Sequence, residues 1–490
     1  MLLPLRRNPE RTLQAELRER LVSAILEGQI PPERPLPSCR SLARRLGVAR
    51  NTVALAYQAL VEEGFLVSRP RSGFYVRTDI RRGRLGAVPL RTEGEAAAFA
   101  REPDWQRRLI VRPSHQRNIE RPRDWSRYPY PFVYGQIDHA LFPLAAWREC
   151  SRQALGRAAV ESWVDDVILE DDPLLVEQIR CRLLPRRGIF VDRDQILVTL
   201  GAQQALYLLA RLLIHEGSVV AIEDPGYPDL RNILALRTRQ VRPIPVDAAG
   251  LPVDDRLSGC DYVFVTPSHQ YPTTVTMPLD RRRALLQWAE RADFVIVEDD
   301  YECETNYVSE PTPALKSLDT GGRVLYVASL SKTLCPGLRL GCLVGPRELI
   351  AEARALRRLM LRHPPGNNQR TAALFLAQGH HDGFIHRLHR VYRERWQRMG
   401  EALARHLPNS FHTPTFGGTS YWVRGPEGLD ADRLAVEARR HGLLIEAGSV
   451  CFAGPKPPRN FLRLGFSAIA AERIEPGIRL LAELVRRQLA

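Results

Sequence analysis

Lysine is almost absent from this sequence. The 490 residues include 70 lysines and arginines together, but only Lys316, Lys332 and Lys456 are lysines. Lys316 lies in the polar segment PALKSLDTGG and Lys456 in the proline-rich GPKPPR, and both segments are typical of exposed loops. Lys332, in VASLSKTLCPGLRLG, instead comes just after a segment that has the pattern of a buried strand. Because a lysine amine forms a Schiff base with a carbonyl and a guanidinium does not, position 332 indicates a reactive amine.

Long apolar runs and paired cysteines are also missing. No run approaches the roughly 18 apolar residues of a membrane span, and the start, MLLPLRRNPE, becomes charged too early for a secretory signal. We therefore expect a cytoplasmic protein with no membrane partner. The eight cysteines stand singly, with no CxxC pair and no spacing typical of zinc ligands, which predicts free thiols.

Four histidines cluster in the segment GHHDGFIHRLHR: His380, His381, His386 and His389. This cluster is compatible with a metal site or with the solvated basic face of a helix. No set of carboxylates or cysteines accompanies it, which favours the solvated face, and we predict no metal site.

Basic charge is concentrated near the N-terminus. The formal net charge is +14, of which residues 1–80 carry +5, residues 81–130 carry +6 and the remaining 360 residues only +3. Such an excess favours a polyanionic partner, although an arginine-rich composition with solvated faces would give the same count. The length predicts two or three domains.

The first quarter of the chain predicts three helices and a β-hairpin. Apolar residues recur at four-residue intervals from Leu13 to Ile25, as on one face of a helix. The stretch LPSCRSLARRLGVARNTVALAYQALVEEGFL adds two helices, the first capped by Ser38 and ended by Gly47. FLVSRPRSGFYV then has the pattern of a hairpin. Together these elements predict a winged helix-turn-helix.

A helix-turn-helix presents the first residues of its second helix to base edges, while the preceding helix crosses the DNA backbone. A three-helix fold with no nucleic-acid role would show the same spacing. The wording of residues 11–77, however, resembles the GntR-type winged-helix regulators, which implies binding to double-stranded DNA. The predicted DNA-binding residues are Arg40, Arg44, Arg50, Asn51, Thr52, Arg69, Arg71 and Gly73.

The rest of the sequence divides into a linker and a large α/β domain. We assign residues 9–78 to the winged head, the Arg/Pro-rich residues 79–128 to a linker and residues 129–490 to the large domain, with a smaller α+β subdomain from about residue 345 to 490. The buried strand patterns QILVTL, VVAIED, YVFVTP, FVIVEDDY and RVLYVASL alternate with longer helical patterns. They predict a mostly parallel central sheet covered by helices.

Groups suited to a phosphate surround Lys332. Serine and arginine flank it in S-x-S-K-x-x-x-P-G-x-R, and arginine binds phosphate bidentately. A glycine ends ILVTL and opens the helix AQQALYLLARLL, whose first amides favour an anion. The candidate phosphate ligands are Ser329, Ser331, Arg339, Gly201, Ala202 and Gln203. A lysine amine beside a phosphate site predicts pyridoxal phosphate as the cofactor.

A pyridoxal ring needs a carboxylate at its protonated nitrogen. FVIVEDDY ends with three acids at the carboxyl edge of the sheet, where open α/β sheets bind ligands, and we select Asp299 among them. Tyr301 is predicted to reach the phenolic oxygen, and Tyr227, in EDPGYPD, to stack on the ring. Arg463, in NFLRLGFS, is the candidate for binding an acid group on an effector.

The order of these motifs resembles aminotransferase fold type I over roughly residues 130–490, and its fusion to a GntR-type head resembles the MocR/GabR family of regulators. The resemblance implies that Lys332 carries pyridoxal phosphate as a Schiff base. It implies that Asp299, Tyr301 and Arg339 hold the ring nitrogen, the phenolic oxygen and the phosphate. It further implies that Arg463 binds a small amine effector and that the protein is a head-to-tail homodimer.

Two departures from the enzyme pattern accompany this resemblance. Tyr271 and Thr274 stand where enzymes of this fold have the Asn and Gly of Asn-Pro-x-Gly, and WVDDVILEDDPLLVEQI lacks the usual Tyr/Gly turn. Two functions remain open at this point. One is a transcriptional regulator that senses an amino acid or aminosulfonate through an external aldimine; the other is an active aminotransferase tethered to DNA. The head and the missing asparagine favour the regulator, since a sensor needs only binding and a change of shape.

Overall fold

The computed structural model describes residues 12–81, 103–165, 170–307, 312–330, 332, 334–408, 410–412 and 417–490. The chain divides into two compact units, Met1–Arg108 and Leu109–Ala490.

The first unit contains the predicted winged helix-turn-helix. Its elements are α1 (Leu13–Leu26), α2 (Cys39–Leu46), α3 (Arg50–Glu62), β1 (Leu66–Arg69), β2 (Gly73–Val76) and the short α4 (Trp105–Arg108). Ser38 caps α2 by accepting the amide of Ser41 at 3.2 Å, and Gly47 ends it in the left-handed conformation, both as predicted. Leu17, Leu21 and Tyr57 are buried together between the helices, so the periodic leucines form the core of the head.

The second unit begins with a connecting segment and continues as a large α/β domain. Its helices are α5 (Leu144–Ala154), α6 (Arg157–Val160), α7 (Pro173–Gln178), α8 (Ala202–Leu213), α9 (Pro228–Ala235), α10 (Leu279–Ala292), α11 (Arg347–Leu361), α12 (Gly366–Ala377), α13 (His380–His406), α14 (Ala431–Arg440) and α15 (Ala471–Leu489). Its strands are β3 (Tyr130–Pro131), β4 (Ile196–Thr199), β5 (Val220–Asp224), β6 (Val241–Pro245), β7 (Tyr262–Val265), β8 (Val295–Asp300), β9 (Val324–Ser329), β10 (Gly341–Val344), β11 (Phe411–His412), β12 (Ser420–Arg424), β13 (Leu443–Leu444), β14 (Glu446–Ala447) and β15 (Phe461–Gly465).

Seven of these strands form the central sheet, in the order β4-β10-β9-β8-β7-β5-β6. The pairs from β9 to β6 are all parallel, which confirms the mostly parallel sheet. β10 runs antiparallel to both of its neighbours. Each of the five predicted strand patterns is a strand of this sheet, and apolar side chains are buried on both of its faces.

Both outer edges of the central sheet have few free hydrogen-bonding groups. On β4, Arg354 donates to the carbonyl of Ile196 at 3.0 Å, Arg357 donates to that of Val198, and Asp171 accepts the Val198 amide at 3.1 Å. On β6, the pairing with β5 turns Pro243 and Pro245 outward, and proline has no amide hydrogen to offer.

The C-terminal part forms the smaller subdomain. Its four strands pair in the order β11-β12-β15-β14, and α13 packs against α15. Among the described residues, no helix has both the length and the apolar character needed to cross a membrane.

Residues 109–128, which the sequence analysis assigned to the linker, cluster with the second unit. The reason is a set of specific hydrogen bonds: Asn118 donates to Asp229 at 2.7 Å, and Arg121 donates to Glu446 at 2.6 Å. Because these contacts are between polar groups, the segment shows no hydrophobic periodicity that the sequence could have displayed.

Candidate functional site

A cavity of about 340 Å³ lies at the carboxyl edge of the central sheet. Asp299 is near the end of β8, Ser329 ends β9 and Tyr227 follows β5. This is the edge at which parallel sheets bind ligands. The predicted site residues that line the cavity are Ala202, Gln203, Tyr227, Asp299, Tyr301, Ser329, Lys332 and Arg339. Ser331 lies outside the described residues, so nothing follows about its position.

One end of the cavity is suited to a phosphate. Gly201 precedes α8 with φ +76°, a backbone conformation that a side chain would strain, so the first amides of α8 are open to a ligand. A Cβ added at Gly201 would lie 3.4 Å from Nη2 of Arg339, and that nitrogen donates to the carbonyl of Leu200 at 3.1 Å. The arginine and the helix N-terminus therefore converge, although they are far apart in the sequence.

The three acids that end β8 are distinguished by their partners. Glu298 accepts the amides of Leu315 and Lys316, both at 2.8 Å. Asp300 accepts from Arg187 and from Tyr326, both at 2.8 Å.

Asp299 is the acid of this group that faces the cavity. Its Oδ1 and the hydroxyl of Tyr301 are buried without a hydrogen-bond partner among the described residues. Burial, with the nearby Asp300, raises the pKa of Asp299 to about 7. A cationic ring nitrogen beside it would favour the ionised carboxylate.

Lys332 places its amine inside the cavity. Its Nζ lies 4.7 Å from the ring centroid of Tyr134, and a Cβ added at Gly135, where φ is +70°, would be only 2.7 Å from that Nζ. Burial lowers the pKa of Lys332 to about 8, because a desolvated ammonium is disfavoured. A substantial fraction of the amine is therefore neutral and nucleophilic near neutral pH.

Arg463 forms a cationic site next to the lysine. Its guanidinium lies 3.3 Å from the ring centroid of Tyr134 and 4.2 Å from that of Tyr271, and its Nε donates to Ser420 Oγ at 3.0 Å. The side chain is buried, yet Nη1 and Nη2 have no hydrogen-bond partner among the described residues. A buried guanidinium with two free nitrogens fits a bidentate acid group.

These residues fit pyridoxal phosphate on the structure's own terms. The unpartnered oxygens of Asp299 and Tyr301 match the two polar positions of its ring, Lys332 supplies the amine, and Arg339 with the start of α8 supplies the phosphate donors. We assign pyridoxal phosphate as the cofactor.

Sequence reasoning missed several residues of the cavity wall. Tyr134 lies against both Lys332 and Arg463, and Gly135 lies against the lysine. Asn118, Ile119 and Arg121 come from the segment predicted to be a linker. Tyr134 and Gly135 lie in the loop between the two-residue strand β3 and α5, and a loop carries no periodic signal.

The departure at Tyr271 and Thr274 has structural counterparts, whereas the one in WVDDVILEDDPLLVEQI falls partly on residues 166–169, which lie outside the described residues. Tyr271 stacks on Arg463 in place of a hydrogen-bonding amide. Thr274 keeps a left-handed φ of +64°, the conformation that the expected glycine would adopt freely. In the histidine cluster, His381 is buried against Glu304, with Nε2 to Oε2 at 3.2 Å, so it does not lie on a solvated face as expected. Among the described residues, no group of three or more potential ligands could hold a metal ion.

The head presents an exposed basic surface. Arg50 and Asn51 are exposed at the start of α3, and Arg40 and Arg44 are exposed on α2. The hairpin turn holds Arg71 at a φ of +61°. At its base, Arg69 stacks on Tyr75 at 4.4 Å. Thr52 follows on α3 and Gly73, at φ +109°, begins β2.

Comparison with known families places both units. The gntR family of bacterial regulatory proteins matches residues 13–76, and aminotransferase class I and II matches residues 173–481. The chain is 44% identical to the HTH-type transcriptional regulator TauR of Rhodobacter capsulatus, over 97% of each chain. The chain belongs to the MocR-type transcriptional regulators. MocR of Rhizobium meliloti, a probable rhizopine catabolism regulatory protein, is 31% identical over 97% of this chain and 94% of its own.

The aminotransferase unit of this MocR-type regulator also matches solved enzymes. LysN, the α-aminoadipate aminotransferase of Thermus thermophilus, superimposes with a TM-score of 0.71 at 28% identity. The match covers 79% of this chain and 99% of LysN, which was solved with N-(5'-phosphopyridoxyl)-L-leucine. The regulator thus carries a nearly complete aminotransferase fold behind its DNA-binding head.

Proposed function

We propose that this regulator senses a small amine that also bears an acid group, an amino acid or an aminosulfonate, and that binding of the amine changes its affinity for operator DNA. The observation that carries the proposal is the arrangement around Tyr134, which has the amine of Lys332 at 4.7 Å and the guanidinium of Arg463 at 3.3 Å from one ring. A short molecule with an amine at one end and an acid at the other can engage both positions.

Each candidate site residue has a proposed part, including Gly201 and Arg463, which lie beside the cavity lining. Pyridoxal phosphate supplies an aldehyde that captures a primary amine. Lys332 holds the cofactor covalently, Asp299 pairs with its ring nitrogen, Tyr301 donates to its phenolic oxygen and Tyr227 stacks on the ring. The phosphate is bound by Gly201, Ala202, Gln203, Ser329, Ser331 and Arg339, and Arg463 binds the acid group of the effector through its two free nitrogens.

The head reads DNA as a helix-turn-helix does. Arg50, Asn51 and Thr52 face base edges, and Arg40 and Arg44 contact phosphates. Arg69, Arg71 and Gly73 belong to the wing. A head-to-tail homodimer would present two heads to paired half-sites, which the dimeric habit of the aminotransferase fold supports.

The test compares amines that bear an acid group with an amine that has none. Cofactor-loaded protein is titrated with taurine, β-alanine and n-propylamine while the cofactor absorbance is followed. A charge-assisted hydrogen bond contributes about 1.5–3 kcal/mol, so n-propylamine should bind at least about tenfold more weakly than the better acid-bearing probe. In Arg463→Gln protein this preference should disappear, whereas the exposed control Arg473→Gln should keep it.

The same samples are then tested on a duplex taken from upstream of the protein's own gene. The better probe should change DNA affinity by about fivefold or more, the usual size of an allosteric coupling. An acid preference that persists in Arg463→Gln would refute the assigned binding mode. Accumulation of the aldehyde formed from the probe, with the amino acid formed from an added keto-acid acceptor, would instead indicate an active aminotransferase.

A further inference from the structure

The cavity lined by Asp299 and Lys332 is here named the effector cavity. Residues 116–121, here named the connector strap, join the two subdomains of the second unit across the wall of this cavity. On the large subdomain, Gln116 donates to the carbonyl of Asn232 at 3.0 Å, and Asn118 donates to Asp229 at 2.7 Å. Both contacts are to α9, the helix that begins directly after Tyr227. The strap is therefore fixed to the element that carries the proposed ring-stacking residue.

The same short segment is also bound to the small subdomain. Arg117 donates to the carbonyls of Phe452 and Gly454 at 3.0 and 3.1 Å. Arg121 forms an ion pair with Glu446 of β14 at 2.6 Å, with side chains 25% and 9% exposed. A charge pair so shielded from water is weakly screened and sensitive to position. Any movement of one subdomain against the other must pull on the strap.

Both members of the ion pair form hydrogen bonds with the backbone of Tyr134. Nη2 of Arg121 donates to the carbonyl of Tyr134 at 2.6 Å, and Oε1 of Glu446 accepts the amide of Tyr134 at 3.3 Å. Tyr134 is the residue whose ring lies against Arg463 and Lys332. A ligand that moves either of these side chains acts on the residue to which the strap is bonded.

The strap has space on both sides. Asn118, Ile119 and Arg121 line the effector cavity, and they also line a second cavity of about 340 Å³. Ala435 and Val436 of α14 form part of the opposite wall of this second cavity. Because a cavity lies on each side of these residues, the strap has room to shift. Its N-terminal end continues through residues 109–115 to the unit that contains the DNA-binding head.

We propose that Arg121 is a positioning residue through which the strap, held by the Arg121–Glu446 pair at Tyr134, passes the state of the effector cavity to the segment leading to the head. This inference rests on the proposed function for its ligand. It adds a route and a residue to the proposed binding mode, in which Lys332 and Arg463 engage the effector.

The test compares full-length, cofactor-loaded wild type with Arg121→Gln, Glu446→Gln and Arg121→Lys. The control is Arg152→Gln, which breaks an exposed Arg152–Glu149 pair whose side chains are 74% and 44% exposed. For each protein, cofactor absorbance reports binding of taurine or β-alanine, whichever binds wild type more tightly. Fluorescence anisotropy reports affinity for the upstream duplex with and without that probe.

We expect the variants to retain probe binding and to lose most of the probe's effect on DNA affinity. Arg121→Gln and Glu446→Gln should still bind the probe, and at a probe concentration that saturates each protein the probe-induced change in DNA affinity should fall from at least about fivefold to less than about twofold. Arg121→Lys, which keeps the charge but not the forked geometry, should restore part of the change. The control should behave as wild type.

Hydrogen exchange on unmodified protein gives a readout that needs no variant to fold. The amides of residues 117–121 should change their exchange rate by about fivefold or more when the probe is added. Normal coupling in Arg121→Gln, or strap exchange that ignores a bound probe, would overturn the role of the strap while leaving the proposed function intact. Wild type that binds no probe would refute the proposed function, and this inference with it.

Discussion

At the scale of single residues, the scarcity of lysine has a chemical meaning. Arginine is used at the other 67 basic positions, and one of the three lysines lies where burial lowers its pKa to about 8. An arginine there would keep its charge at any pH and could not act as a nucleophile. A lysine at this position thus fits the proposed Schiff-base role.

The pH dependence of cofactor attachment follows from this pKa. Since the neutral amine is the nucleophile, its fraction rises about tenfold per pH unit below pH 8 and levels off above it. The initial rate of covalent attachment of pyridoxal phosphate should rise to a plateau with a midpoint near pH 8, measured by borohydride trapping at intervals from pH 6 to about pH 10.

A Lys316→Arg/Lys456→Arg variant, which leaves Lys332 as its single lysine, should give the same profile. Free Nα-acetyl-lysine, whose amine has a pKa of about 10.4, should still be gaining rate at the highest pH. A protein profile that follows the free amine would show that the pocket does not desolvate Lys332.

The sequence could locate the cofactor residues that directly end buried strands. Asp299 was selected among three acids, and the structure shows that its two neighbours are engaged by Arg187, Tyr326 and backbone amides. Arg121 could not be found in this way, because it is one arginine among many in a segment without periodicity. Its significance depends on Glu446, more than 300 residues away.

At the scale of elements, the five long apolar strands of the central sheet and the hairpin of the wing were predictable, whereas β6 and β10 were not. The five apolar patterns all form strands, because burial on both faces leaves a continuous hydrophobic run. β6 reads VRPIP, whose prolines argue against a strand, and an edge position is what tolerates them. β10 is only four residues long and directly follows the motif from Lys332 to Arg339, so its apolar residues do not form a separate strand pattern.

The turn of the wing holds Arg71 in a strained backbone conformation. Pro70 and Arg71 occupy the centre of a turn closed by the amide of Ser72 and the carbonyl of Arg69 at 3.0 Å, and the φ of +61° at Arg71 is one that glycine normally supplies. We propose that an arginine held in this conformation contacts a DNA phosphate. Arg71→Gly should weaken binding and lower the slope of log K against log salt by about 0.9, as measured by anisotropy titrations at several salt concentrations.

Arg71→Lys should recover most of the salt slope, since it retains the charge. Arg18→Gln is the matched control, because Arg18 is already paired with Glu63 at 2.6 Å. An unchanged slope in Arg71→Gly would place the wing away from the phosphates.

At the scale of the whole molecule, the chain combines two units with separate cores. The residues that line the effector cavity, where the cofactor is also proposed to bind, all belong to the second unit. A ligand that binds only the folded form stabilises that form by mass action, by about 2.7 kcal/mol at a free concentration 100 times Kd.

Cofactor should therefore slow the slowest-exchanging amides of β7 and β8 by about 100-fold under these conditions, as measured by hydrogen exchange and mass spectrometry. Buried amides of the head, such as those around Tyr57, serve as the internal reference. Lys332→Ala protein should show a much smaller protection. If wild-type β7 and β8 exchanged equally fast with and without the cofactor, the cavity would not be its binding site.

The blocked edges of the central sheet also constrain assembly. Association by strand addition needs a row of free amide and carbonyl groups, and here one edge is covered by two arginines and an aspartate while the other turns two prolines outward. Neither edge of the central sheet is therefore suited to pairing with a second copy. This prevents the open-ended case in which copies without a closing symmetry axis add strand to strand and form a fibre.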